Sequence, residues 1–280
     1  MAAAWWSDRI PIYPTFDTER DWHAHECPPE EMKRRRGPDF PKEGTPSYEM
    51  DRRAIPELLD LLNGHDVRAI FFVTGEFCEY NPDLVGAIDD AGHGLGVHTH
   101  PQLHPEFVGD HVNDLHAGML VDYDPAAINS MIGRDYDALC ETGVDTDHFR
   151  AGNLSFSRRV ARQLVDIGLT HDHSIRMAIS KDVTNVPLYL AARRLGLDET
   201  PVVLNPAYIH RAEHHRLKPY HYLFASLFGG TLNLHPMVFG NEAIDLETDR
   251  ARFESYLADC THRLEAGNGA DRVDETLAEL

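Results

Sequence analysis

The segment Gly94-Leu-Gly-Val-His-Thr-His-Pro-Gln-Leu-His-Pro105 decides how the whole chain reads. Leu95 and Val97, set among glycines, make a short apolar run of the kind that forms a buried strand. Side chains two apart on a strand share a face, so His98 and His100 emerge together. Pro101 stops the strand, which leaves His104 in the loop beyond it. Neutral imidazole is the commonest protein ligand for zinc-like ions, and three ring nitrogens this close in sequence can close on one ion. A solvated histidine-rich loop is the plain alternative in a chain with 18 histidines. Metal binding is the favoured reading.

Outward from this stretch, strand and helix patterns alternate. Ile10 to Glu19 reads as a first strand running into two carboxylates, Asp17 and Glu19. Residues 20–47 have no regular period and read as a long loop, with Lys33-Arg-Arg-Arg36 at its centre. Ser47 is placed to cap a helix through Asn63. Arg68 to Thr74 is a near-continuous apolar run, as in a strand buried on both faces of a parallel sheet. A helix from Pro82 to Ala91 follows, then the histidine strand, then a helix from Asp124-Pro125 to about Glu141. His148 to Gly152 reads as a short strand tipped by Arg150. Ser157 caps a helix through Ile167, and Leu169 to Ile175 reads as a strand carrying Asp172. Between 176 and 215 only Pro201 to Asn205 is strand-like. Tyr220 to Phe228 reads as helix, Gly230 to His235 as strand, and Asp249 to Leu264 as an amphipathic helix. About seven such alternations specify a parallel α/β sheet, which right-handed crossovers would close into a barrel. One domain is expected over residues 1–280, with its motifs between about 10 and 265. No GxGxxG or GxxxxGK[ST] order supports a nucleotide-binding fold.

The charge balance is unusual: 46 acidic against 26 basic residues, a formal net charge of −20, with only four lysines. Such a surface resembles that of proteins that fold in concentrated salt, and it argues against nucleic acid and anionic membranes as partners. Cys27, Cys78, Cys140 and Cys260 form no CxxC pair and are expected to be reduced thiols. The N-terminus lacks the basic and apolar regions of a signal peptide, and no stretch approaches ~20 apolar residues. A soluble, cytoplasmic protein without membrane insertion is expected.

Every candidate catalytic residue falls at the C-terminal tip of a strand: Asp17 and Glu19, then His98, His100 and His104, then Arg150, then His235. In a barrel of parallel strands these tips share one mouth, where active sites lie. The order of motifs resembles the polysaccharide deacetylase family, the NodB homology domain of carbohydrate esterase family 4. Thr15-Phe-Asp-Thr-Glu19 is similar to its Thr-Phe-Asp-Asp opening, and Val97 to Pro105 to its His-Ser/Thr-x-x-His-Pro motif. Phe149-Arg-Ala-Gly152 is similar to its Phe-Arg-x-Pro, Asp172-His-Ser174 to its Tyr-Asp-x-Ser, and Leu232 to Pro236 to its closing Leu-x-His.

The resemblance implies a distorted (β/α)7 barrel and one divalent ion held by a carboxylate and two histidines. The ion would be zinc first, with cobalt, nickel or manganese as alternatives. A second carboxylate would act as base and the late histidine as acid. Two departures bear on the assignment. Thr18 stands where the family has its second aspartate, so Glu19 is expected as ligand and Asp17 as base, with the reverse kept open. Gln102 stands four residues after His98, so His104 is preferred as second histidine, with His100 as the alternative. Arg150 would orient Asp17 through a bidentate pair, and Asp172 would fix the tautomer of His235. The implied activity is N-deacetylation of an N-acetylated sugar in polysaccharide or surface-glycan metabolism. An allantoinase-like amidohydrolase and an inactive glycan-binding barrel are the alternatives.

Overall fold

The structure is a computed structural model. It describes residues 12–20, 48–108, 118–177, 184–204 and 219–240, and positions 251, 253, 254 and 257. The expected loop at 20–47 beyond Arg20, the Ser47 cap, Cys27, Cys260 and most of the last helix lie outside these residues. Among the described residues eight strands form one sheet: β1 (Ile12–Thr18), β2 (Ile70–Val73), β3 (Gly94–Thr99), β4 (His148–Ala151), β5 (His171–Asp172), β6 (Asp198–Glu199), β7 (Val202–Leu204) and β8 (Gly230–Leu234). All pair in parallel, in the order β6-β5-β4-β3-β2-β1-β8-β7.

The last two pieces close the barrel. β6 pairs with β5 and β7 with β8, and they are consecutive parts of one extended passage broken at Pro201, which has no N–H to give to a ladder. Just past β5, Met177 N–H donates to Val202 O at 2.7 Å and Val202 N–H donates to Ile175 O at 2.8 Å. Counted as one stave, β6 and β7 give the curled sheet the seven staves of a distorted (β/α)7 barrel.

Helices α1 (Glu49–Gly64), α2 (Gly75–Tyr80), α3 (Pro82–Asp90), α4 (Pro105–Val108), α5 (Pro125–Glu141), α6 (Arg158–Ile167), α7 (Val186–Arg194), α8 (Pro219–Phe228) and α9 (Met237–Gly240) fill the connections. Caps set several starts: Asp124 accepts from Ala127 N–H, Ser157 from Val160 N–H and Thr74 from Phe77 N–H. The sequence reading had no counterpart for α2, α7 or β6, and the strand it placed at 169–175 keeps ladder pairing only at His171–Asp172. No described helix is long and apolar enough to cross a membrane.

Alternation along each strand sorts the two faces of the sheet. Phe16, Phe71, Val97, Phe149 and Leu232 point outward into the apolar layer under the helices, all fully buried. Each contributes about 1.5–3 kcal/mol from burial. The alternate positions point into the barrel and are largely polar: Thr15, Asp17, His98, Arg150, Thr231 and Asn233, with Phe72 among them. At Gly96 a Cβ would lie 2.6 Å from the Phe72 ring, so glycine there makes room for that ring inside the barrel.

Candidate active site

Arg150 is the fixed point of the interior. It is fully buried, and its Nη1 donates to Asp17 Oδ1 at 2.7 Å and to Asn233 Oδ1 at 3.2 Å. Its Nη2 donates to Thr231 Oγ1 at 3.2 Å and its Nε to the His173 carbonyl at 2.9 Å. The guanidinium lies 4.3 Å from the centre of the Phe72 ring. The expected bidentate pair with Asp17 is therefore corrected. One N–H meets the carboxylate, because the rest of the fork is shared among Asn233 and Thr231 of β8 and the His173 carbonyl. Burial alone would push the Asp17 carboxyl up, but Arg150, His98 and His235 outweigh it and hold the group below its ordinary value.

Glu19, just past β1, faces three imidazoles. Its Oε2 lies 2.6 Å from His100 Nε2 and 3.6 Å from His98 Nε2, and its Oε1 lies 3.4 Å from His235 Nε2. His98 and His100 bring their Nε2 atoms within 3.1 Å of each other. The far side of the His98 ring is fixed: Nδ1 sits 2.8 Å from the Arg150 carbonyl and acts as donor to it. In the neutral ring this leaves the Nε2 lone pair facing Glu19 and His100, the arrangement that orients a metal-ligating histidine. Asp17 Oδ2 is 4.0 Å from His98 Nε2, farther than either Glu19 contact. Arg20 anchors the chain beyond Glu19 through a two-pronged ion pair with Glu76 on α2, and Tyr48 adds a hydrogen bond to the same carboxylate.

These donors suit a divalent ion on chemical grounds. Two imidazole nitrogens cannot share a 3.1 Å approach as facing lone pairs, and a carboxylate on the same spot adds negative charge that a cation would neutralise. Two nitrogens and one oxygen is a ligand set that zinc, cobalt and nickel accept. Glu19, His98 and His100 are all buried, so the set is held by packing.

The geometry departs from the sequence expectation at two histidine-related points. His104, the preferred second ligand, is turned away: its Nε2 meets Asp135 Oδ2 of α5 at 3.3 Å. His100 takes the place beside His98, since it leaves β3 on the same face and finds space over Gly152, where a Cβ would lie 2.6 Å from the His100 ring. Asp172, expected to fix the tautomer of His235, instead accepts from Ser174 Oγ–H at 2.6 Å and Ser174 N–H at 3.2 Å, with the buried Glu199 carboxyl as its neighbour. Sequence reasoning missed Asn233 and Thr231, which follow from β8 alternation once His235 is placed, and Gly152, whose role no local pattern shows.

The model of the polysaccharide deacetylase family matches residues 44–171, which hold His98, His100 and Arg150. The resemblance of the chain to that family is shown by this match. Over 147 residues (46% of this chain, 32% of the relative) it is 28% identical to the peptidoglycan-N-acetylglucosamine deacetylase PgdA of Listeria monocytogenes. Over 55 residues (19% of this chain, 20% of the relative) it is 44% identical to a peptidoglycan-N-acetylglucosamine deacetylase of Bacillus cereus. The matched stretches thus span a fifth to a third of these relatives' own lengths. Among solved structures, a protein of Mycobacterium smegmatis described as a polysaccharide deacetylase superposes with TM-score 0.56 at 17% identity, over 97% of this chain and 92% of that one. The peptidoglycan deacetylase PdaC of Bacillus subtilis gives 0.51 at 11% identity, over 98% and 96%. At these identities the two structures speak for the fold.

Proposed function

We propose that the chain removes the acetyl group from an N-acetylated sugar of a polysaccharide or surface glycan, using a divalent ion at the C-terminal mouth of the barrel. One observation carries the reading: Glu19, His98 and His100 converge beside Asp17, which is aimed by Arg150, and beside His235. Glu19, His98 and His100 would hold the ion, with zinc first and cobalt, nickel or manganese as alternatives. Such an ion polarises an amide carbonyl and lowers the pKa of a water it binds, effects worth several kcal/mol in related sites.

The protein's own groups divide the remaining work. Asp17 stays ionised and presents Oδ2, its oxygen not hydrogen-bonded to Arg150, toward His98; there it takes the proton of the attacking water. That oxygen of water joins the acetyl carbon, the amide C–N bond breaks, and acetate leaves. His235 Nε2, on the Glu19 side of the site, gives a proton to the departing sugar nitrogen. A barrel that only bound glycans would have no use for a buried base, its guanidinium partner and an acid in one pocket.

The test pairs kinetics with metal analysis, using acetate release from N-acetylglucosamine oligomers. His235→Ala should keep folding and metal content and lower turnover ~10²–10⁴-fold, mainly in kcat. Near-parental turnover would end the acid assignment. A metal-loaded parent that frees no acetate from these oligomers would overturn the substrate reading.

A further inference from the structure

The opposite end of the barrel, where the strands begin, carries a second convergence of ligand-type side chains. We propose that Asp147, His148 and His171 form a second divalent-cation site there, independent of the catalytic pocket. His148 opens β4 and His171 opens β5, and the two are register partners, so their rings project together on the inner face. His171 Nδ1 lies 3.0 Å from Asp147 Oδ2, and His148 Nε2 lies 3.8 Å from Asp147 Oδ1. The three ligand atoms fall within 4.8 Å of one another. Bonds of ~2.0–2.2 Å to a zinc-like ion require about an ångström of closure from that spacing.

What sets this cluster apart from a chance meeting of polar groups is the backing of each ring. His148 Nδ1 meets His173 Nε2 at 3.0 Å, so the nitrogen turned away from the cluster has a partner and Nε2 is left to face Asp147. His171 Nε2 looks toward Asp198 Oδ2 at 3.6 Å, and Asp198 is itself held by Arg193 at 2.7 Å. A carboxylate behind a ligating imidazole is the usual way such rings are oriented. Thr170 Oγ–H donates to Asp147 Oδ2 at 2.8 Å and fixes the third member. The rings of His148 and His171 stack with centroids 4.6 Å apart, and those of His148 and His173 at 5.3 Å. The side chain of Asp147 is 47% exposed and those of His148 and His171 are 23% exposed, so an ion reaches the site from solvent without passing through the barrel. The occupied site would tie the starts of β4 and β5 together, next to the short β6 that closes the barrel.

The experiment counts zinc. The full chain, stripped with chelator and dialysed against zinc, should bind two equivalents. His98→Ala should keep one, and that one should disappear when His171→Gln or Asp147→Asn is added, with zinc affinity falling at least ~10-fold. Zinc should also raise the melting temperature of His98→Ala, because a ligand held only by the native state stabilises it. Asp147→Asn changes a half-exposed side chain isosterically, and circular dichroism checks that it folds. A single equivalent lost with His98→Ala and untouched by His171→Gln would overturn the second site and leave the catalytic reading standing. A single equivalent lost only with His171→Gln would do the reverse. A parent that binds no zinc would overturn both.

Discussion

Gly152→Ala is the most informative single change. The backbone at 152 does not need glycine, since its φ lies outside the left-handed region. The added methyl instead meets His100, at 2.6 Å from Cγ, Cδ2 and Nε2 of the ring. Carbon contacts settle at about 3.5–4.0 Å, so the ring must retreat by about 1 Å. Metal–nitrogen bonds tolerate displacements of only ~0.2 Å. If His100 is a ligand, zinc affinity should fall by at least the ~10–100-fold that follows loss of an orienting partner. Competition with a chromophoric chelator measures the constant, and the visible absorption of the cobalt-loaded protein reports the ligand change. Overpacking costs ~1–3 kcal/mol, so folding is checked by circular dichroism. In a His100→Ala background the same glycine change should leave zinc affinity unmoved, because its target is gone. A folded Gly152→Ala protein that binds zinc as the parent does would refute the role of His100.

Thermal unfolding from low to multimolar KCl should show rising stability, since 46 acidic against 26 basic side chains repel until screened, over ~3 Å at molar ionic strength; a flat or falling trend would refute this. Burial, with the neighbouring Asp172 adding to it, holds the Glu199 carboxyl well above its ordinary range. The folded chain therefore keeps a proton that the unfolded chain releases above about pH 4.3, and stability drains as pH rises through the folded pKa. Glu199→Gln does not titrate, so its melting temperature relative to the parent should climb as pH rises above the ordinary glutamate range; a constant difference would refute the retained proton. Gly133→Ala, in the interior of α5 with open space around the new methyl, should stabilise by about 0.5–1 kcal/mol in chemical denaturation; a destabilised variant would contradict the packing there.

The residues that deliver chemistry were legible because strand alternation is local. Leu95 to His100 and Gly230 to His235 each announce a buried strand that ends in histidine, and the observed strands end within one residue of those histidines. What local pattern could not supply was the choice between His100 and His104. That choice rests on Gly152 and Asp135, which come from β4's end and α5 and share no period with the histidine segment. The helix α2 escaped for another reason. Its six residues are too few for a hydrophobic stripe, and only Thr74, a capping residue three before Phe77, marks its start. β7 was read within the strand-like stretch Pro201 to Asn205, whereas the two-residue β6 before it is too short to show an alternation.

The same interior network that aims the base also holds the barrel, and this limits what mutants there can mean. Arg150 is a buried cation whose donors are taken up by Asp17, Asn233, Thr231 and the His173 carbonyl. Removing one member of a buried ion pair leaves the other charge uncompensated, at a cost of ~3–5 kcal/mol. Asp17→Asn would therefore lose stability as well as the base, and Arg150→Ala would leave the Asp17 carboxylate without its strongest neighbour. His235 differs: it stands past the end of β8, with 7% of its surface exposed, and is not among the groups around Arg150. A loss of turnover at His235 without a loss of stability thus isolates chemistry, whereas the same loss at Asp17 mixes it with the cost of an unpaired guanidinium in the middle of the barrel.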